Sequence, residues 1–286
     1  MSDRLAEVGQ RIATVRQLDA VVNAMRGIAA ARARQSRALL PAACAYAQIA
    51  ARAIGQAGRL SAAWPAQVAT PRGTNRIVIL FGAEQGFAGA FPERILDAAA
   101  EDSGGADRFI IGSRSLSLAT ERGWRPVWHA RLPSRASTIA QLATTIMEAL
   151  SDRLVDEEAT SVALLFPRWR TGQTIGIVRR GLFPFDPATF ALLEAGPAPL
   201  VNLPPAQLMA QLAREHVFAQ LCEAGLEAFA AENEARMEAM AAASLNIQRR
   251  LGGLVAQERV IRQEEITAEV VELAGSALSR RRAREG

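Results

Sequence analysis

The sequence predicts an α/β protein dominated by helix, in which long N- and C-terminal helices pair as an antiparallel coiled coil and flank a small α/β domain. Three observations carry that reading. Apolar residues recur at alternating spacings of 3 and 4 through both ends of the chain. Short β-type runs alternate with helical stretches only in the middle third. The 286 residues are 50% hydrophobic but only 5% aromatic, which supplies a core and favours helices over a β-sandwich.

The N-terminal helical region is set at 1–56. From Ser2, the positions Leu5, Val8, Ile12 and Val15 step by 3, 4 and 3, and the seam continues through Leu18, Val22, Met25 and Ala29. Helical composition persists to about Ile54, with Pro41 expected to kink or break the helix because it lacks an amide donor. A loop rich in Gly, Pro and Ala then runs from Gly55 to Thr74.

Region 75–200 reads as the α/β domain. "RIVILFG" (76–82), "RFIIGS" (108–113) and "SVALLFPRW" (161–169) are strand-like runs. "PERILDAAAE" links the first two and "TIAQLATTIMEALSDRL" the next, the alternation of a small parallel sheet. "TIGIVRRGLFPF" adds a further strand.

After Pro205 no proline follows, and 206–280 forms the C-terminal coiled-coil helix. Met237, Met240, Ser244, Ile247, Leu251, Leu254, Glu258 and Ile261 repeat at 3 and 4 spacing, with two polar interruptions. About 70 residues of helix would reach roughly 105 Å, far beyond a compact domain. The two long helices join the middle domain by opposite ends, so seams that pack together must run antiparallel. Near the end, "EEITAEVVELAGSAL" (264–278) places Ile266, Val270, Leu273 and Ala277 on one line. Val271, Ala274 and Leu278 widen that apolar arc to roughly 160°, more than one partner helix covers, so other protein is expected around it.

The chemistry of the residues excludes more than it suggests. All 33 basic residues are arginine, which removes a Walker lysine, a Schiff base and a lysine general base together. Cys44 and Cys222 lie far apart in helical patterns and read as buried thiols. No run of 18 apolar residues appears, so a soluble protein on the cytosolic side of a membrane is expected. His129 and His216 have no metal-ligand grouping around them, and no cofactor is expected. "GAEQGFAG" (82–89) follows a strand and admits a nucleotide-binding enzyme as the alternative, against the wrong spacing for a dinucleotide loop. Arg26, Arg32, Arg34, Arg37 and the terminal "SRRRAREG" are open to a solvated face, an acidic protein surface or nucleic acid. Arg262 and Gln263 stand apart because they precede the apolar arc, where a guanidinium can make a bidentate bond to a partner carboxylate.

Four stretches resemble one family, the gamma subunits of F-type ATP synthases: "QRIATVRQLDAVVNAMRGIAAARAR" (10–34), "LFGAEQGFAGAFPERI" (80–95), "LFPF" (182–185), and the C-terminal "ENEARMEAMAAASLNI" (232–247) with "RQEEITAEVVELAGSAL" (262–278). The resemblance spans essentially the whole chain. It implies a Rossmann-like middle domain and a non-catalytic rotor, with catalytic groups on the beta subunits. The apolar helix of Ile266, Val270, Leu273, Ala277 and Leu278 would turn inside a sleeve of alpha and beta subunits. Arg262 and Gln263 match the family's Arg-Gln pair that contacts an acidic loop of a beta subunit, and Met25 matches a methionine nearby on the N-terminal helix. The middle domain would meet the epsilon subunit and the c-ring, on the cytoplasmic face of a bacterial inner membrane. No nucleic acid is implied. Departures mark a divergent member: Arg259, Val260 and Ile261 stand where the family usually carries Asn-Arg-Ala, Glu258 replaces an aromatic, and "DAVV" (19–22) replaces a basic element.

Overall fold

The computed structural model describes residues 2–58, 76–101, 105–156, 161–185, 190 and 200–285. Helix α1 (Ser2–Gly58) passes through Pro41 without a break, where the sequence led us to expect a kink or an end. Tertiary bonds hold the turn before it: the Ser36 hydroxyl donates to the Leu226 carbonyl at 2.7 Å, and Arg37 pairs with Glu234. Such bonds offset the roughly 3 kcal/mol that an interior proline costs. The helix also runs four residues beyond Ile54, burying Ile54 and Ala57, so the expected loop begins later. The rest of that loop lies outside the described residues.

The middle elements follow as β1 (Arg76–Phe81), α2 (Phe91–Glu101), β2 (Asp107–Ile111), α3 (Ser113–Glu121), β3 (Trp128–Ala130), α4 (Ile139–Asp156), β4 (Ser161–Arg168) and β5 (Gly176–Phe183). They form a five-stranded sheet in the order β3-β2-β1-β4-β5. The first four strands are parallel, and β5 runs antiparallel to β4. The sheet is therefore mixed rather than parallel. Seven residues (169–175) separate β4 from β5, too few for the crossover of a dozen or more that a parallel neighbour requires. Helix α5 (Pro205–Glu285) completes the chain.

By packing, the chain groups into two compact units, Ile28–Met237 and Met1–Gly27 with Glu238–Gly286. In the first, alternate strand residues bury on opposite faces. Ile77, Ile79, Phe81, Leu164 and Phe166 meet Ile139, Ile146 and Leu150 of α4 and Leu221, Ala224 and Phe229 of α5. Val78, Leu80, Ile110 and Leu165 meet Phe91, Ile95 and Leu96 of α2. That is the three-layer arrangement of a Rossmann-like sheet. A smaller cluster joins Ile54 of α1 to Phe185, Phe190 and Met209.

In the second unit α1 and α5 pair antiparallel. Val8 and Ile12 pack with Ile261, and Ser244 donates to Asp19 at 3.0 Å, so rising numbers on one helix meet falling numbers on the other. The seam takes Asp19 rather than the expected Leu18, which is 51% exposed. A polar pair inside an apolar seam fixes its register. Among the described residues one helix, within Arg4–Gly58, is by length and composition apolar enough to cross a membrane; alanine supplies much of that apolarity, and Val8, Ile12 and Val22 are buried within the protein.

Candidate functional site

The glycine turn after β1 is the first place where the sequence offered chemistry. Its entry is tight: the Gly82 amide donates to the Ile111 carbonyl at 2.8 Å and the Ala83 amide to the Ser115 hydroxyl at 2.8 Å. Opposite it, Gly112 has φ 111°, and a Cβ there would lie 2.6 Å from the Ala83 carbonyl oxygen, so only glycine fits. The Glu84 carboxylate accepts from the Ser113 amide and hydroxyl, both at 2.9 Å, and from the Leu132 amide at 3.0 Å.

A phosphate-binding loop needs free backbone donors. Here the Glu84 and Gln85 amides donate to the Glu232 carboxylate at 3.1 and 3.0 Å. Glu232 is 3% exposed and pairs with Arg236 one turn on, whose guanidinium also donates to the Gly86 carbonyl at 3.2 Å. The anion in this nest is the protein's own side chain. The nucleotide-binding alternative is therefore not favoured.

A second buried polar cluster ties α5 to β4 and β5. Arg180 donates to both oxygens of Glu223 at 2.9 and 2.8 Å, and Arg168 reaches Glu223 at 3.2 Å and Glu227 at 2.9 Å. Burial raises the Glu227 carboxyl above its usual range, and the Arg168 charge opposes that rise. The same loss of solvent pushes the Cys222 thiol up to about 11. Burial lowers the His216 imidazole, whose ring lies 5.7 Å from Phe185 and 5.3 Å from Phe190. His129 is exposed on β3, away from His216 in the fold. Among the described residues no three His, Cys, Asp or Glu side chains converge as metal ligands.

The far part of α5 is the opposite of a pocket. Ile266, Val270 and Leu273 are 55%, 58% and 62% exposed, joined by Val260 and Val271. Arg262 and Gln263 are also exposed. The Arg262 guanidinium bonds to Glu258 one turn back at 2.8 Å, rather than projecting unpaired. Met25 is half-buried on α1. The antiparallel register puts Arg262 near the level of Val8 and Ile12 and Met25 beyond the Asp19–Ser244 pair, so the two are not brought together. The side chains of Ala277 and Leu278 lie outside the described residues.

Residues 4–279 match the family model described as ATP synthase. The chain belongs to the ATP synthase gamma family. Among relatives, it is 26% identical to the ATP synthase gamma chain of Geotalea uraniireducens, over 96% of this chain and 98% of that one. It is 27% identical to that of Anaeromyxobacter sp., with the same coverage. Among solved structures, a chain of the Euglena gracilis mitochondrial ATP synthase OSCP/F1/c-ring assembly superposes with a TM-score of 0.70. That match has 12% identity and covers 100% of this chain and 97% of the other.

Within this gamma-family frame, sequence reasoning missed Glu84, Glu232 and Arg236. Charged residues in an exposed-looking helix pass for a solvated face. The available signal was "AENEAR": a Glu and an Arg four apart, at the end of an alanine-rich run, in a chain whose glycine turn also carries a carboxylate.

Proposed function

We propose that this chain is the central rotor stalk of an F-type ATP synthase and couples ion flow through a membrane c-ring to ATP synthesis or hydrolysis on alpha and beta subunits, itself contributing no catalytic group. The single observation that carries the reading is the row of large apolar side chains, Val260, Ile266, Val270, Val271 and Leu273, each more than half exposed along α5. Water disfavours such a row, and a sleeve of other subunits would cover it. An apolar contact has no directional bonds, so turning the shaft exchanges one similar contact for another, as a bearing requires. An asymmetric shaft then favours a different conformation in each beta subunit, which links rotation to nucleotide affinity.

Ile266, Val270 and Leu273, with Ala277 and Leu278, are the proposed sleeve contacts. Arg262 and Gln263 on α5, and Met25 on α1, are the proposed polar contacts to a beta subunit. The Ile28–Met237 unit is the proposed seat for the epsilon subunit and c-ring, on the cytoplasmic face of a bacterial inner membrane. The test is co-purification: tagged chain expressed with its neighbouring subunits should bring down alpha and beta. Capture of neither refutes the reading. Arg262→Ala should lower coupled ATPase activity while the isolated chain keeps its fold; unchanged coupling removes the proposed polar contact.

A further inference from the structure

We infer that α5 is locked against turning relative to the sheet by two buried polar grips on opposite sides of the helix, and that these residues carry torque between shaft and domain. The inference rests on the rotor reading above. The first grip is Glu223 and Glu227 held by Arg168 and Arg180 of β4 and β5. The second is Glu232 and Arg236 holding the amides of Glu84 and Gln85 and the Gly86 carbonyl of the turn after β1.

At 100° per residue, Glu227 sits about 40° from Glu223, while Glu232 and Arg236 sit about 180° and 220° from it. A helix held on one side only can roll about that side. Held on both, it cannot turn without breaking at least one set. Between the grips, Gly225 lets the helix seat closely against α4 and the end of β1: a Cβ there would lie 2.7 Å from Ile139 Cγ2 and 3.4 Å from the Phe81 ring.

Apolar packing alone would not serve, because it is non-directional and slides at little cost. A buried charge pair is directional, and stranding one partner leaves an uncompensated charge inside the protein. The second grip is buried on both sides, Glu232 and Arg236 being 3% and 5% exposed; in the first, Glu223 is 8% exposed and its arginine partners are half-buried. The load would therefore fall on Glu223, Glu232 and Arg236 as positioning residues, which touch no substrate.

The test is single-molecule rotation of the complex reconstituted with alpha and beta subunits. A bead is attached to the sheet domain through Glu121→Cys in a Cys44→Ser, Cys222→Ser background. Opening both grips with Glu223→Gln and Glu232→Gln should leave ATP hydrolysis without a bead near wild type. Rotation of a large bead against drag should fall at least about threefold as the helix slips under the domain. Wild-type torque on the bead with both grips opened overturns the inference. If the double variant fails to assemble, the single variants decide. A larger loss with the bead than without it supports the grips, and an equal loss in both, as simple destabilisation produces, overturns them. A wild-type complex whose bead never rotates indicts the rotor reading instead.

Discussion

Between Leu221 and Arg236 helix α5 is buried on every side, whereas between Arg262 and Gly275 the same helix is exposed on nearly every side. Only the second breaks the usual rule that larger apolar side chains go inside. The buried stretch sets Leu221, Leu226 and Phe229 among the small residues Ala224, Gly225, Ala228, Ala230, Ala231 and Ala235, with charged residues between them. The exposed stretch carries Ile266, Val270, Val271 and Leu273. Small residues let neighbouring elements approach, so directional bonds from Glu223, Glu232 and Arg236 can reach their partners. Large aliphatic side chains carry no hydrogen-bonding group of their own, so they offer a greasy, non-directional surface. One helix thus has a stretch made to hold and a stretch made to slide, and four experiments can sharpen or break that contrast.

The largest effect is expected at the holding stretch. Glu232→Ala removes the acceptor of two backbone amides and leaves the Arg236 guanidinium short of its partner inside the protein. Removing one member of a buried pair costs about 3–5 kcal/mol, measured by urea unfolding of the isolated chain. A loss under about 1 kcal/mol, the scale of an exposed pair, would show that this stretch holds nothing.

Next comes one substitution with opposite sign in the two stretches. Gly225→Ala places a methyl 2.7 Å from Ile139 Cγ2 and 3.4 Å from the Phe81 ring, and overpacking of that kind costs about 1–3 kcal/mol. A Cβ at Gly275 meets nothing within 4 Å, so Gly275→Ala should stabilise the helix by up to about 1 kcal/mol through propensity alone. Thermal melts that moved in the same direction for both variants would erase the distinction.

The sliding stretch was the more legible of the two. Its apolar arc is opposed only by Glu269 and Glu272, so periodicity alone shows that it asks for a covering surface. The coiled-coil seams were legible for the same reason. Asp19 was not, because a polar seam residue looks like surface until Ser244 is placed against it. The holding stretch was illegible on the same ground: Glu232 and Arg236 have the four-residue spacing of any helix-surface pair, and only the fold brings the amides of residues 84 and 85 to them. Strand β3 is three residues long, too short for any alternation to register. Helix α3 begins "SRSLS", whose serines read as a loop. The direction of β5 follows from the length of its connection, which was printed in the sequence but not weighed.

A smaller effect reads the burial around α5 by pH. The His216 ring, facing Phe185 and Phe190 with the Ala47 carbonyl, Arg180 and Glu223 about it, is held below its ordinary value chiefly by loss of solvent. The folded state therefore binds a proton less readily than the unfolded chain. Its contribution to stability is whole above about pH 6.5 and declines as the pH falls through the lowered folded value. Unfolding midpoints taken from pH 8 to pH 5 should fall more steeply for wild type than for His216→Gln. Identical slopes would remove His216 from the account.

The smallest effect on stability belongs to the sliding stretch, and its smallness is the point. Ile266→Ser with Leu273→Ser exchanges two side chains that are already 55% and 62% exposed, so folding removes little of their surface from water. Such changes shift stability by no more than about 0.5 kcal/mol each. A melt of the isolated chain should therefore hardly move. The assembled complex should respond differently, because burial of the same two side chains in a sleeve is worth about 1.5–3 kcal/mol apiece when complete, and hydroxyls carried into that sleeve would lack partners. Recovery of alpha and beta subunits on the tagged double variant should drop while the chain itself stays folded. A large loss of stability in the isolated chain would mean that Ile266 and Leu273 pack against their own protein, and the contrast between the two stretches of α5 would be lost.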